Sequence, residues 1–163
     1  MEKKKAKFEM ENGGEFVIEL LTEFAPKTAE NFEKLVSSGF YDGVVFHRVI
    51  DNFMAQGGDP TGTGMGGSDE NIVGEFAANG FDRNTLSHTR GVVSMARSAN
   101  PNSASSQFFI CYADCAFLDG QYAAFGKVIE GMETVDGFLE IDRRGPEGGT
   151  PVEDIRIKSA VML

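Results

Sequence analysis

Short apolar stretches with strand periodicity recur along this chain, while only two segments carry helical spacing. That pattern excludes the strand–helix alternation from which parallel sheets are built. Residues 5–10 alternate Ala6, Phe8 and Met10 against charge, Asn12-Gly13-Gly14 signals a turn, and residues 15–21 alternate Phe16, Ile18 and Leu20. Together they predict an opening hairpin. Further strands are expected at 44–50, 53–56, 91–96, 107–112 and 124–129, with a last one inside 151–162 marked by Ile155 and Ile157. Residues 26–38 read as a helix: Pro26 suits the first turn, Gly39 the exit, and Ala29, Phe32, Leu35 and Val36 form one apolar stripe. A shorter helix is expected at 131–139, interrupted by Gly137, and loops at 57–67 and 143–149. About eight short strands and two helices predict a mainly β fold, a closed barrel with its ends covered, because closure removes exposed strand edges. A β-sandwich is the alternative.

The 163 residues suffice for one domain spanning 1–163. A net charge of -10 repels phosphate backbones and anionic lipid, so neither nucleic acid nor membrane is an expected partner. No run reaches the roughly 18 apolar residues of a membrane span. The basic start Met1-Glu2-Lys3-Lys4-Lys5 leads into Ala6-Lys7-Phe8-Glu9, which is not the apolar core of a signal peptide. The chain therefore reads as cytoplasmic. Cys111 and Cys115 lack C-x-x-C spacing and are expected as free thiols. No exposed apolar stripe demands a second subunit, so a monomer is expected.

Three polar side chains stand where half-buried strands ordinarily carry hydrophobes. Arg48 lies between Val44-Val45-Phe46 and Val49-Ile50, Gln56 follows Phe53-Met54, and Gln107 precedes Phe108-Phe109-Ile110. A guanidinium among that much apolar surface is costly unless hydrogen-bonded. Recurrence of the pattern in distant segments points to polar groups held over an apolar pocket. Met54 shares strand parity with Gln56, and Gln107 with Phe109, so each pair can occupy one face. Phe53 has the opposite parity to Met54, and both can line a pocket only if the strand begins or bulges there.

These residues carry a resemblance that covers nearly the whole chain. Phe46-His47-Arg48-Val49-Ile50, residues 53–59 (Phe-Met-Ala-Gln-Gly-Gly-Asp), Ser94-Met95-Ala96-Arg97, Pro101-Asn102-Ser103, residues 106–110, Leu118-Asp119-Gly120 and Phe125-Gly126-Lys127-Val128 resemble the cyclophilin-type peptidyl-prolyl isomerases. The spelling from Asn102 to Ser106 looks more like bacterial members. The resemblance implies an eight-stranded antiparallel barrel with two capping helices and rotation of X–Pro bonds without a cofactor or a metal, acting on proline-containing polypeptides and assisting their folding. It implies that Arg48 is the catalytic arginine and that Gln56 hydrogen-bonds both it and the substrate backbone. Phe53, Met54, Phe109 and Leu118 are then the proline pocket, Gln107 a further polar site residue, and Ala96 and Arg97 the segment whose backbone pairs with the peptide. Well-known eukaryotic members carry tryptophan where Phe117 stands and histidine where Tyr122 stands. In sensitive members the indole N–H donates to cyclosporin; phenylalanine has no donor, so weak cyclosporin binding is expected, while Tyr122 still walls the pocket.

Other signals point elsewhere or nowhere. The glycine-rich 57–67 stretch lacks the lysine of a phosphate loop and reads as a loop beside the substrate groove. His47 has strand parity opposite to Arg48 and is expected to point away from it. His47 and His88, the only histidines, have no clustered ligands that would make a metal site. Ser103, Ser105 and Ser106 show no His–Asp partners, which speaks against a hydrolase. The rival to an isomerase is a catalytically weak module or chaperone that binds proline-containing peptides.

Overall fold

The computed structural model describes residues 3–145 and 148–163; the first two residues, and Pro146 and Glu147 at the centre of the loop expected at 143–149, lie outside them. The strands are β1 (Lys5–Met10), β2 (Glu15–Leu20), β3 (Val45–Ile50), β4 (Met54–Asp59), β5 (Val92–Met95), β6 (Phe108–Cys111), β7 (Ala124–Glu130), β8 (Arg143–Arg144), β9 (Thr150–Pro151) and β10 (Ile157–Met162), and the helices are α1 (Pro26–Ser37) and α2 (Met132–Asp136). Eight of the strands form one sheet in the order β10-β1-β2-β7-β5-β6-β4-β3, and every pairing in it is antiparallel. The sheet curls until its edge strands meet. Closure is slighter than the expected full barrel: a single bridge, Val45 to Arg156, joins β3 to the approach of β10. Backbone bonds from Phe46 to Ile155 and from Ile157 to Val44, both 2.9 Å, flank it.

The interior is filled by aromatic rings. Phe8 and Phe16 face each other across the first hairpin and stack at 5.1 Å. Phe32 of α1 meets Phe108 edge-on at 5.4 Å and Phe125 at 4.9 Å. Phe46 and Phe138, at 1% and 2% exposure, complete this filling of the inside of the sheet. Two expectations change in detail. The second helix stops at Asp136 and continues from Gly137 as one 3-10 turn, since glycine weakens a helix interior. The ends of the 143–149 loop are drawn into a ribbon, Arg143 pairing with Pro151 and Arg144 with Thr150.

Two buried carboxylates tie distant segments together. Ala25, at the start of α1, offers no side-chain cap. Glu75 supplies it from the far side of the sequence: its Oε1 accepts from the backbone N–H and the hydroxyl of Thr28, both at 2.6 Å, and its Oε2 from the N–H of Lys27. These are N–H groups that no helical carbonyl can reach, and the negative charge also suits the helix dipole. Asp59, fully buried at the end of β4, organises the glycine-rich loop. Its carboxylate accepts from the backbone N–H groups of Thr61, Thr63, Gly64 and Gly66 at 2.7–3.1 Å, and from the Thr61 hydroxyl. Burial alone raises its pKa, but the bonds from Thr61, Gly66 and Gly64 outweigh that and hold it well below the usual carboxylate range.

Glu75→Ala is expected to cost about 2 kcal/mol, through loss of a cap and exposure of unsatisfied buried donors, and Glu75→Gln less. Urea unfolding reads both, and an unchanged midpoint for the alanine variant would refute the role. Because Asp59 is more acidic folded than unfolded, its stabilisation is complete above the ordinary aspartate pKa and fades as pH falls through the folded value. Wild type should therefore exceed Asp59→Asn in melting temperature at pH 7, with the gap closing below about pH 4; a gap that widens in acid contradicts this.

Candidate active site

The β3–β4 ladder sets Arg48 directly opposite Gln56, and the β4–β6 ladder sets Gln56 opposite Phe109. Cross-strand partners share a face, so the three side chains rise from one outer surface. The Arg48 guanidinium donates from Nη1 to Gln56 Oε1 at 3.4 Å, and its Cζ lies 5.9 Å from the centre of the Phe53 ring. Gln56 Nε2 donates to Gln107 Oε1 at 2.9 Å. Gln107 Nε2 in turn donates to the carbonyls of Gly64 and Gly66 at 2.9 and 2.8 Å. These bonds fix both amides: Gln107 spends its two N–H groups on the loop, so its oxygen faces Gln56, and the Gln56 oxygen is left for arginine.

Beside this polar row lies a second apolar cluster, separate from the main core. Met54, Phe109 and Leu118 are buried in it with Cys111 and Cys115, and Phe53, Ala96 and Tyr122 pack against it. Tyr122 meets Phe109 edge-on at 5.8 Å. Phe53 joins because β4 begins at Met54, after a turn in which Asn52 takes φ +61°. The result is a cavity of about 480 Å³ lined by Arg48, Phe53, Met54, Gln56, Ala96, Arg97, Phe109, Leu118 and Tyr122, with His47, Thr63 and Gly64. Of the residues singled out in the sequence, two stand apart. Gln107 lines an adjoining cavity of about 340 Å³ and acts by holding the loop and Gln56. Phe117, 70% exposed, sits at the rim, where its ring approaches that of Phe53 at 5.8 Å.

His47 corrects the parity argument. The ladder passes from Phe46–Gly57 to Arg48–Gln56 and leaves His47 as the extra residue of a bulge, which re-aims side chains. His47 and Arg48 consequently line the same cavity. Burial lowers the His47 pKa, Asp59 opposes that and Arg48 adds to it, so the ring is neutral at pH 7. Its buried Nδ1 has no hydrogen-bond partner among the described residues. Nothing in the sequence marks this bulge. Thr63 and Gly64 were foreshadowed only by the glycine-rich stretch.

A Ser–His–Asp chain is present that no spacing in the sequence announces. His88 Nδ1 lies 2.9 Å from Asp119 Oδ1 and its Nε2 2.9 Å from Ser94 Oγ. The carboxylate only accepts, so Nδ1 carries the proton and Ser94 donates to Nε2. Burial lowers the His88 pKa, against the pull of Asp119. Ser94 and His88 are both fully buried, so the hydroxyl meets no substrate. Instead the imidazole stacks against Phe109 at 6.0 Å and braces the apolar wall from behind. A charged donor fork beside a ring-sized apolar hollow can stabilise charge that gathers on an atom held in that hollow.

Comparison with known proteins agrees with this geometry. Residues 5–162 match the family described as cyclophilin type peptidyl-prolyl cis-trans isomerase/CLD. The chain is 46% identical over 156 residues to peptidyl-prolyl cis-trans isomerase ppi1 of Schizosaccharomyces pombe, spanning 92% of this chain and 94% of that protein. It is 48% identical over 152 residues to peptidyl-prolyl cis-trans isomerase CYP18-1 of Arabidopsis thaliana, spanning 93% and 91%. The crystal structure of a cyclophilin type peptidyl-prolyl cis-trans isomerase of Cryptosporidium parvum superposes with a TM-score of 0.87 at 33% identity, over 99% of this chain and 98% of that one. The same protein in the presence of the dipeptide Ala-Pro gives 0.85 at 34% identity, over 98% of each. In fold and in sequence along almost its whole length, the chain belongs to the cyclophilin-type peptidyl-prolyl cis-trans isomerase family.

Proposed function

We propose that the 480 Å³ cavity receives the proline ring of an extended polypeptide and that Arg48 speeds rotation about the preceding bond. The barrier to be lowered is amide resonance, about 18–20 kcal/mol for an ordinary peptide bond. Twisting the bond breaks that resonance and leaves a lone pair on the prolyl nitrogen. A donor aimed at this nitrogen stabilises the twisted state more than either planar one, which is what catalysis requires. A guanidinium supplies its donors without giving up a proton, so the step needs no proton transfer. Neutral His47 adds no competing charge beside it. Met54, Phe109 and Leu118 hold the ring and keep water away, which strengthens the charge-assisted bond. Gln56 sets the guanidinium and can also meet the substrate backbone, while the Ala96–Arg97 backbone pairs with the peptide. The observation that carries this reading is the placement of the Gln56-held arginine fork and the Met54–Phe109–Leu118 hollow in one cavity.

Arg48→Ala should lower kcat/KM for a proline-containing tetrapeptide by about 10²- to 10³-fold, mainly in kcat, because the interaction belongs to the twisted state. A protease-coupled or exchange-NMR assay measures it. Equal rates for the two proteins would remove Arg48 from the mechanism.

At the rim, the exposed Phe117 offers carbon where a tryptophan would offer an N–H. Calorimetric titration should show cyclosporin binding markedly weaker than in tryptophan-bearing members of the family. Affinity equal to theirs would show that the missing donor is immaterial.

A further inference from the structure

Arg97 was singled out only through its backbone, yet its side chain makes a separate set of contacts. Its Cζ lies 4.8 Å from the centre of the Phe76 ring and 4.8 Å from the centre of the Tyr122 ring. Its Nε and Nη2 both donate to the carbonyl of Gln121, at 3.1 and 2.7 Å. Its Nη1 donates to the carbonyls of Ser98 and Ala99. The guanidinium thus grips the residue before Tyr122 by its backbone and Tyr122 itself by its ring face. It also lines both the proline cavity and the adjoining 340 Å³ one. Its donors are occupied by carbonyls, which argues against a role in drawing acidic side chains into the groove.

We propose that Arg97 is a positioning residue: its side chain straps the Tyr122 loop to the 96–99 segment, fixes the tyrosine as one wall of the proline cavity and partitions that cavity from its neighbour. This rests on the isomerase reading above, and it adds a residue that shapes ground-state fit rather than the twisted bond. The plane of the guanidinium is essential to it. Lysine keeps the charge but offers neither a flat face for a ring nor a fork that can place two donors on one carbonyl. Arg48 and Gln56 are untouched by the strap, so loss of it should appear in KM and spare kcat.

The test compares wild type with Arg97→Ala, Arg97→Lys, Tyr122→Ala and the Arg97→Ala/Tyr122→Ala double variant on one proline-containing tetrapeptide. Arg97→Ala should raise KM about five- to tenfold with kcat within about twofold of wild type, and Arg97→Lys should recover little of the loss. In the Tyr122→Ala background, Arg97→Ala should add nothing further, since the residue acts through that ring. An unchanged KM, full recovery by lysine, or multiplying effects in the double variant would each overturn the proposal. Ring-proton NMR supplies a readout that needs no turnover. In Arg97→Lys the Tyr122 resonances should shift or broaden, while those of Tyr41 and Tyr112, tied to the carbonyls of Ser106 and Val135, stay in place. Absence of turnover in wild type would refute the isomerase reading, and an undisturbed Tyr122 would refute the strap; the two failures are separable. Should the alanine variant not fold, Arg97→Lys alone decides, by KM and by the Tyr122 signals.

Discussion

The site depends on one buried charge that never meets substrate. Asp59 gathers the backbone N–H groups of the glycine-rich loop, and that folding turns the carbonyls of Gly64 and Gly66 toward Gln107. From there the order of donors and acceptors is forced, through Gln107 to Gln56 to Arg48. An amide that donates at one end must accept at the other, so neither glutamine can flip without losing bonds at both ends. The loop needs glycine for this. Gly62 and Gly64 take φ of +71° and +89°, a region that side chains strain. At Gly66 an added Cβ would collide with the Asp59 carboxylate itself. A chain with net charge -10 thereby spends one carboxylate on placing a cation.

The apolar half follows from the pleat. Alternate residues of a strand face opposite sides of the sheet, and β6 uses both. Phe108 belongs to the filled interior and Phe109 to the outer cluster. In β4, Ala55 points inward while Met54 and Gln56 line the cavity. The aromatic packing inside the sheet and the hollow outside it are two faces of the same strands. The interior holds the wall rigid, and His88, bonded to Ser94 and Asp119, supports Phe109 between them. Hydrogen-bonded pairing sets β6, β4 and β3 side by side, and residues from 47 to 122 converge on a single groove.

Much of this was legible in the sequence because it is local. Alternation of Ala6, Phe8 and Met10 marked β1, and Pro26 and Gly39 bracketed α1 closely. Parity alone put Met54 with Gln56 and required a strand to begin or bulge beside Phe53 if both line the pocket; β4 begins at Met54. The family resemblance named most of the residues that line the cavity, but not His47, Thr63 or Gly64. What stayed illegible is non-local. Glu75 caps a helix 47 residues away, and Asp119 reaches back 31 residues to His88; no spacing rule announces such pairings. The bulge at His47 defeated parity because an extra residue in a ladder reverses the facing of its neighbours. Closure by one bridge, and not by a full ladder, depends on how far eight strands twist, a property of the whole sheet.

These arrangements share a chemical consequence. Several groups near the groove that could move a proton are held away from substrate. His88 has both ring nitrogens engaged in buried bonds, its serine is sealed from substrate, and the thiols of Cys111 and Cys115 are pushed up by burial. Hydrolysis of a peptide needs a nucleophile and a base within reach of one carbonyl. Bond rotation needs only a fixed positive charge, a dry hollow and walls that do not yield. A site that places its arginine over an apolar hollow meets those needs.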